Sequence, residues 1–262
     1  MSDLLVQTEG ATTLITLNRP DQRNAMTAAM RDELIEVVAA FNADPSQRVA
    51  IVTGAGTSAF SAGADLKEMA STPTGGRVPM SRQPEIGGVA SSQKPVIAAI
   101  NGLAVAGGLE LAISCDIRIA VPDAWFGLSE VQRGLVAGVA VTVLPRLVPY
   151  GVAADLVLAG TRLTAERALS VGLVQDVVEP ERLLEAAFER AERIAQSSPT
   201  AVWASKQVMS YWRNLQVAEH QRFYEAVVHR ALLTGDYREG PAAFAEKRIP
   251  NFADDWPTPG AS

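Results

Sequence analysis

The stretch KPVIAAINGLAVAGGLELAISC, from Lys94 to Cys115, decides the fold of this chain. Its first apolar run, Pro95–Ile100, is bounded by proline and by Asn101-Gly102, which predicts a short buried strand followed by a turn. Its second run, Leu109–Cys115, has apolar neighbours at spacings of three and four, which predicts a helix whose first turn is Gly107-Gly108. The stretch therefore predicts a strand, a turn and a helix in close succession.

Glu110 lies in the first turn of this predicted helix, inside an otherwise apolar segment. A helix start leaves backbone N–H groups without partners and carries the positive end of the helix dipole. Glycines there let another molecule approach the backbone closely. A carboxylate at this position either caps the helix or takes part in chemistry, and the stretch alone leaves both readings open. A transmembrane helix is disfavoured, because the same carboxylate would lie inside the membrane.

A second turn of small residues, in FSAGADLKEM from Phe60 to Met69, precedes a short predicted helix with Asp65 near its start. It follows a short apolar strand predicted at Val49–Thr53. Strand, glycine turn and helix thus occur twice, at 49–71 and at 96–115, without a strict sequence repeat. This alternation is typical of an α/β protein.

Alternating and periodic patterns predict the other elements of the first three quarters of the chain. Two strands are expected at Leu4–Thr8 and Thr12–Leu17, and Thr27 is expected to cap a helix that runs to about Phe41. A further strand is predicted at Leu173–Val178. An amphipathic helix is predicted at 181–196, and its inward residues are expected to be Leu184, Ala187, Phe188, Ala191 and Ile194.

The chain after Ser197-Ser198-Pro199 contains only helical patterns. We therefore expect a core over residues 1–198 that holds the active site, and a helical region over 199–262 that serves as a cap or an oligomer interface. Helices are predicted there at 200–211, 215–233 and 241–247, and its aromatic residues include Trp203, Trp212, Phe223 and Tyr224. The polar stretch Thr72–Glu85 is expected to be a mobile surface loop that forms either a lid or the edge of a pocket.

Composition excludes several classes of function. The chain has 262 residues, of which 48% are hydrophobic, so it can bury a sizeable core. Its net charge of −6 argues against a nucleic-acid partner. The single cysteine, Cys115, cannot form an internal disulfide and is expected to be buried. The first ten residues lack the basic start and apolar run of a secretory signal, so we expect a cytoplasmic protein without a membrane partner.

The residue inventory narrows the possible chemistry. Both histidines, His220 and His229, fall on one late predicted helix, which poorly supports a Ser-His-Asp or Cys-His site, and no metal-binding motif is present. Two carboxylates, Glu110 and Glu130, and two glycine-rich helix starts remain. Glu130 taken alone is more simply interpreted as a solvated loop acid. Together these groups could stabilise an oxyanion and move protons, which suits a reaction that passes through an enolate.

The chain resembles the crotonase (enoyl-CoA hydratase/isomerase) superfamily from about Leu4 to Phe252. The resemblance is carried by four motifs, at Phe60–Met69, Lys94–Ala120, Phe126–Gly134 and Gly240–Arg248. It implies a crotonase-like (ClpP/crotonase) α/β fold, a spiral of ββα units with a C-terminal helical region that builds trimers or hexamers. It also implies an acyl-CoA substrate, with no cofactor besides the coenzyme A of that substrate.

The resemblance also implies roles for individual residues. The backbone N–H groups of Ala64 and Gly107 match those that hold the thioester oxygen, and Glu110 and Glu130 match the two glutamates that activate water in the hydratases of the family. Lys247 matches a lysine near the coenzyme A nucleotide, which often reaches a neighbouring subunit's site. The turns Arg23–Ala25 and Ala62–Leu66 match those that line coenzyme A, so the expected binding residues are Arg23, Ala25, Ala62, Ala64, Asp65, Leu66, Gly107 and Lys247.

An enoyl-CoA hydratase with a two-glutamate mechanism is therefore the predicted function. The alternatives are isomerisation of an enoyl-CoA, dehydration of a 3-hydroxyacyl-CoA, or a non-catalytic acyl-CoA-binding subunit. The chain departs from the hydratase pattern at Ala106, where a third glycine is common, and at Val139-Ala140, where a glycine pair is common. The second departure is expected to reshape the acyl pocket.

Overall fold

The computed structural model of the protein describes residues 2–71, 87–214 and 236–252. Three predicted features lie outside the described residues. They are the loop Thr72–Glu85, the helix at 215–233, and the side chains of Trp212, Phe223 and Tyr224. Within the described ranges, no helix is long and apolar enough to cross a membrane.

Ten strands and nine α-helices are described in these ranges. The strands are β1 (Leu4–Glu9), β2 (Thr12–Leu17), β3 (Val49–Gly54), β4 (Ala59–Ser61), β5 (Val96–Ile100), β6 (Leu103–Val105), β7 (Ile117–Ala120), β8 (Trp125–Gly127), β9 (Arg162–Thr164) and β10 (Asp176–Val177). The helices are α1 (Ala28–Ala43), α2 (Leu66–Ser71), α3 (Gly107–Ser114), α4 (Ala140–Leu147), α5 (Tyr150–Ala154), α6 (Ala165–Ser170), α7 (Leu183–Ala195), α8 (Pro199–Asn214) and α9 (Asp236–Ala245).

From β3 to β8, successive strands alternate between two sheets. One sheet has the order β1-β2-β3-β5-β7-β10 and the other has the order β4-β6-β8-β9. The strands β3, β5 and β7 pair in parallel in the first sheet, and β4, β6 and β8 pair in parallel in the second. Each turn of the chain thus adds one strand to each sheet, and the first two turns continue into α2 and α3. This is the spiral of ββα units that the resemblance implies.

The central apolar runs form the core between these layers. Every residue of β3 and β5 is buried, as their continuous apolar sequences predict for strands covered on both faces. Helix α1 begins after Thr27, whose side chain accepts a hydrogen bond from the Met30 N–H, and it buries Met30 and Phe41 among its inward residues. The predicted cap, the predicted strands of the first hairpin and the buried state of Cys115 are confirmed.

Three expectations about the elements are corrected. In addition, the three-residue strands β4, β6, β8 and β9 were not predicted, because three residues are too short for a recognisable alternation. In α7 the buried residues are Leu183, Ala187 and Ala191, and Leu184 is exposed. Helix α7 begins at Leu183 after a 3-10 turn, so its inward face includes the residue before the one expected. The strand predicted at 173–178 pairs only over β10, and the last helix begins at Asp236, with Pro241 inside it.

Candidate active site

The first candidate turn joins β6 to α3. Gly107 is the first residue of α3 and Ala106 precedes it, with φ +50° and ψ −129°, a conformation that favours glycine. The Ala106 N–H donates to the Gly127 carbonyl at 2.9 Å, which fixes this strained residue against β8. A Cβ on Gly108 would lie 2.1 Å from the Ser61 carbonyl oxygen, so this position has no room for a side chain. The helix start is therefore pressed against the second candidate turn.

The second candidate turn contains Gly63 and Ala64. The Met26 N–H donates to the Gly63 carbonyl at 2.7 Å, and the Asp65 N–H donates to the Met26 carbonyl at 3.0 Å. Ala64 lies between these two bonds, and neither its N–H nor that of Gly107 donates to any residue that the structure describes. Gly63 has φ +89°, and a Cβ there would lie 2.7 Å from the Gly107 nitrogen. The two turns are thus adjacent, and each has a free backbone donor.

A network around Asn24 holds the second turn in place. Asn24 is completely buried, and its side-chain amide donates to the carbonyls of Ala55 and Ala59 at 3.0 and 2.8 Å. Its own carbonyl accepts a hydrogen bond from the Ser61 hydroxyl at 2.8 Å, and that hydroxyl accepts one from the Gly63 N–H at 3.1 Å. The sequence analysis included Asn24 only within the turn Arg23–Ala25 and gave it no role of its own. Its position in a left-handed turn, with φ +53°, is one that asparagine tolerates better than most residues.

Some of the residues predicted to line coenzyme A lie on segments that are hydrogen-bonded to each other at these turns. The Ala62 N–H donates to the Arg23 carbonyl at 2.9 Å, and Ala25 is adjacent to the bridge between Met26 and Ala64. Arg23 is exposed, and Leu66 begins α2.

Asp65 is engaged inside the protein. Its carboxylate pairs with Arg19 at 3.0 Å and accepts the Lys67 N–H at 3.0 Å, so it caps α2. Burial alone would raise the pKa of Asp65, but the hydrogen bonds from Arg19 and from the backbone of Glu68 and Lys67 outweigh it and lower the pKa. The sequence analysis gave Arg19 no role either.

Glu110 is buried on α3 and its carboxylate is held by another helix. Its Oε1 accepts the Val139 N–H at 2.6 Å and the Ala140 N–H at 3.0 Å. These are the N-cap and the first residue of α4, so the carboxylate satisfies two donors that this helix start leaves unpaired. Burial raises the pKa of Glu110, and the two backbone hydrogen bonds oppose this effect only in part.

Glu130 precedes the 3-10 helix Val131–Arg133, close enough to Glu110 for the two charges to interact. Its Oε2 is buried and has no hydrogen-bond partner among the described residues. Burial, followed by the negative charge of Glu110, raises the pKa of Glu130 to about 7, although the backbone and the Arg133 guanidinium oppose this. The alternative of a solvated loop acid is therefore wrong. A buried carboxyl with a pKa near neutrality can both give and take a proton.

Helix α9 brings the C-terminal motif to the same part of the molecule. It packs against α2 and against the 3-10 helix that follows Glu130. Lys247 comes two residues after α9, is exposed and has φ +55°. The segment that carries Lys247 therefore packs against the site elements of its own chain. Within the described ranges, no three His, Cys, Asp or Glu side chains cluster in a way that could hold a metal.

The fold is a two-sheet spiral of ββα units, which is the fold of the crotonase class of proteins. On this fold the two adjacent turns each present a backbone donor, and two buried carboxyls lie nearby. The sequence model of the enoyl-CoA hydratase/isomerase family matches residues 7–255, so the chain belongs to that family. Known relatives include hydratases of several acyl-CoA thioesters, and the chain is an enzyme of the hydro-lyase type.

Two curated relatives illustrate this similarity. The (E)-benzylidenesuccinyl-CoA hydratase of Thauera aromatica is 40% identical over 247 residues, which cover 91% of this chain and 94% of the relative. A carnitinyl-CoA dehydratase of Salmonella arizonae is 40% identical over 252 residues, covering 91% and 93%. Among solved structures, carnitinyl-CoA hydratase from Mycobacterium avium has a TM-score of 0.84 at 37% identity, and covers 97% of this chain and 99% of its own.

Proposed function

We propose that the protein is an enoyl-CoA hydratase that adds water across the 2,3 double bond of an enoyl-CoA thioester. The observation that carries this proposal is a Glu130 carboxyl whose buried Oε2 has no hydrogen-bond partner among the described residues, beside the buried Glu110. A structural acid would be satisfied by hydrogen bonds, whereas a proton-transfer group needs an oxygen that is open to the reactants. Membership of the family supports the acyl-CoA substrate.

The two free N–H groups supply the electrostatic part of the proposed reaction. Ala64 and Gly107 would donate to the thioester oxygen, which gains negative charge as the enolate forms. Gly107 is at the first position of α3, so the positive end of the helix dipole points to the same oxygen. The backbone network around Gly63 fixes both donors before the substrate binds, so little reorganisation is needed during the reaction.

The two carboxyls supply the proton transfers. We assign the ionised form to Glu110, because two backbone N–H groups donate to its Oε1 and favour the charge although burial raises its pKa. We assign the protonated form to Glu130, because its buried Oε2 accepts no hydrogen bond among the described residues. Glu110 takes a proton from water as the water oxygen bonds to C3, and the π electrons move into the enolate. Glu130 then gives its proton to C2 and the thioester re-forms. The pair holds one proton before and after the reaction, and the reverse sequence is dehydration.

Cations at the edge of the site would hold the coenzyme A moiety. Arg23 is exposed beside the turn of Ala62, and Lys247 is exposed after α9. Either side chain can meet a phosphate without giving up an ion pair among the described residues. The Asp65 carboxylate is already bonded to Arg19 and to the start of α2. We therefore propose that Asp65 contributes to coenzyme A binding through its backbone and by stabilising the turn.

Turnover of crotonyl-CoA, followed by the loss of enoyl-thioester absorbance, tests this function directly. We expect hydration by the wild type, and a fall in kcat of about 10²–10⁴ for Glu110→Gln and for Glu130→Gln with a far smaller change in KM. The exposed Glu166→Gln is the matched control, and its kcat should equal that of the wild type. A folded Glu110→Gln or Glu130→Gln variant with wild-type kcat would overturn the mechanism. A panel of enoyl-CoA chain lengths would then define the preferred substrate.

Dehydration of a 3-hydroxyacyl-CoA is the second candidate, because relatives of this chain include carnitinyl-CoA dehydratases. The same two carboxyls serve both directions, so the substrate decides between them. Isomerisation would need only one acid to move the proton. Retention of isomerase activity by Glu130→Gln would favour that reaction, and absence of any turnover with tight acyl-CoA binding would favour a non-catalytic binding subunit.

The oxyanion role of Gly107 is testable because proline lacks an N–H group. Proline is accepted at the first position of a helix, but it restricts the residue before it, and Ala106 is already strained. The comparison is therefore made in an Ala106→Gly background, with Gly107→Pro against Gly107→Ala. We expect the proline variant to lose a further 10²–10³ or so in kcat relative to the alanine variant. Equal kcat values for two folded variants would exclude Gly107 as a donor.

We further propose that the protein assembles as a homotrimer or homohexamer through the region after Pro199. Helix α8 supports this, because Trp203, Val208 and Met209 are large apolar residues on its exposed surface. Light scattering at micromolar concentration should give three or six times the mass of the chain. A monomeric mass would contradict the assembly without affecting the proposed chemistry.

A further inference from the structure

Arg133 lies on the third residue of the 3-10 helix that follows Glu130, and its guanidinium is held by two groups. Its carbon Cζ lies 4.6 Å from the centre of the Phe244 ring on α9. Its Nη1 donates to the Ser129 hydroxyl at 3.2 Å. The Arg133 side chain makes no other hydrogen bond to the described residues. The half-buried cation is therefore stacked on the C-terminal helix by a cation–π contact.

Helix α9 is locked against this 3-10 helix. A Cβ built on Gly240 would lie 1.8 Å from the Arg133 carbonyl oxygen, so the backbones of the two helices are in direct contact there. Phe244 follows Gly240 by four residues and so lies on the same face of α9. Because the backbone contact at Gly240 sets the position of the helix, it also sets the position of the Phe244 ring.

The side chain of Arg133 is thus close to Glu130 without bonding to its buried oxygen. The two residues are three apart, and the Arg133 charge acts on the Glu130 carboxyl. Yet Glu130 Oε2 has no hydrogen-bond partner among the described residues. A guanidinium has five N–H donors and readily forms a bidentate pair with a carboxylate. Arg133 is only three residues from Glu130, yet its guanidinium does not bond to the buried Oε2. Some contact must therefore hold the guanidinium away from this oxygen.

We propose that Phe244 is a positioning residue for the acid/base site: it holds the Arg133 guanidinium on its ring and so keeps that cation from pairing with Glu130. An ion pair would keep Glu130 ionised, and the carboxyl would then have no proton to give to C2. This inference rests on the proposed role of Glu130 as the proton donor. It assigns the C-terminal helix a part in the chemistry through side chains of the same chain.

The other charged groups around Glu130 do not replace Arg133 in this arrangement. In the described part of the chain, Glu110 on α3 faces Glu130 and raises its pKa. On the elements packed against the 3-10 helix, Glu239 of α9 is ion-paired with Arg248, and Asp155 accepts the Thr161 hydroxyl. Arg133 is therefore the cation among them whose charge lowers the pKa of Glu130.

The test compares the pH dependence of kcat/KM for crotonyl-CoA hydration in the wild type and three variants. In the wild type the high-pH limb should report loss of the Glu130 proton at a pKa of about 7. Phe244→Leu keeps an apolar contact but removes the ring, so Arg133 can turn to Glu130, and the limb should move down by about one pH unit. Arg133→Met should move it up. The double variant should match Arg133→Met, because the effect of Phe244 requires the arginine.

Arg162→Met is the matched control, because Arg162 also stacks on an aromatic ring, that of Trp125 at 4.2 Å. Its pH profile should equal that of the wild type. Infrared titration of the protonated carboxyl band gives a second readout that does not need turnover. Melting curves confirm that each variant is folded. If Phe244→Leu fails to fold, Phe244→Met, which also removes the ring, takes its place with the same expected shift.

Two results overturn the inference. One is a limb that stays in place in Phe244→Leu while the Arg133→Met limb moves, and the other is a Phe244→Leu shift that persists in the double variant. A purely structural role of α9 predicts the second result, since lost packing would act without Arg133. Failure of the proposed function is distinguishable, because the wild type would then not hydrate crotonyl-CoA, or Glu130→Gln would remain active.

Discussion

The stability of the Glu130→Gln variant relative to the wild type should increase as the pH rises. The pKa of Glu130 rises from 4.5 to about 7 in the folded protein, chiefly through burial. Because one pKa unit corresponds to about 1.4 kcal/mol, the folded state holds this proton more tightly than the unfolded state by about 3 kcal/mol. For a group with a raised pKa, that stabilisation is complete below the unfolded value and is lost as the pH rises through the folded value.

The wild type should therefore lose about 3 kcal/mol of unfolding free energy from this group between pH 4.5 and pH 7. Glutamine does not titrate, so the Glu130→Gln variant loses no unfolding free energy from this position as the pH rises. The difference in unfolding free energy between the variant and the wild type should grow by about 3 kcal/mol from about pH 4.5 to about pH 8. Any loss of packing caused by the amide adds an offset that does not depend on pH.

Urea unfolding at a fixed protein concentration, repeated across this range, measures the difference, since assembly makes stability depend on concentration. The exposed Glu166→Gln on α6 is the control, and its difference from the wild type should be flat. A flat difference for Glu130→Gln as well would refute the reasoning, because it would mean that Glu130 ionises in the folded protein as freely as in the unfolded chain. The argument for a proton donor at this position would then also fail.

Three further outcomes follow from the backbone and the surface of the site. Ala106→Gly should raise the unfolding free energy by about 1 kcal/mol in urea titration, because it relieves a left-handed alanine with φ +50°; an unchanged midpoint would show that the backbone there is not strained. Gly63→Ala should lower both the melting temperature and kcat, because its Cβ would lie 2.7 Å from the Gly107 nitrogen, and wild-type values for both would contradict the close approach of the two turns. Lys247→Ala should raise KM for acyl-CoA more than it lowers kcat in steady-state assays, because a contact to the nucleotide is uniform binding, and a selective loss of kcat would place Lys247 in the chemistry instead.

Local signals made much of the fold predictable. The cap at Thr27, the helix start at Gly107 and the buried strand β5 were all predicted, because each depends on residues that are neighbours in the chain. The family was recognisable from four short motifs for the same reason, since turns, caps and buried strands impose residue types at short spacings. Glu110 was a candidate because a carboxylate in an apolar segment is unusual, whereas the role expected for Glu130 came from the resemblance.

Tertiary structure alone decided how those acids differ. Glu110 is held by backbone donors 29 and 30 residues away, at the start of α4, whereas the Oε2 of Glu130 is left without a partner. The strands β6 and β8 were not predicted, because three residues are too few to show an alternating pattern. Their pairing nevertheless brings Ala106 and Gly127 into contact. The stack of Arg133 on Phe244 joins residues more than a hundred positions apart. Burial and charge at a site depend on which distant segments cover it, and a pattern of neighbouring residues contains no record of that.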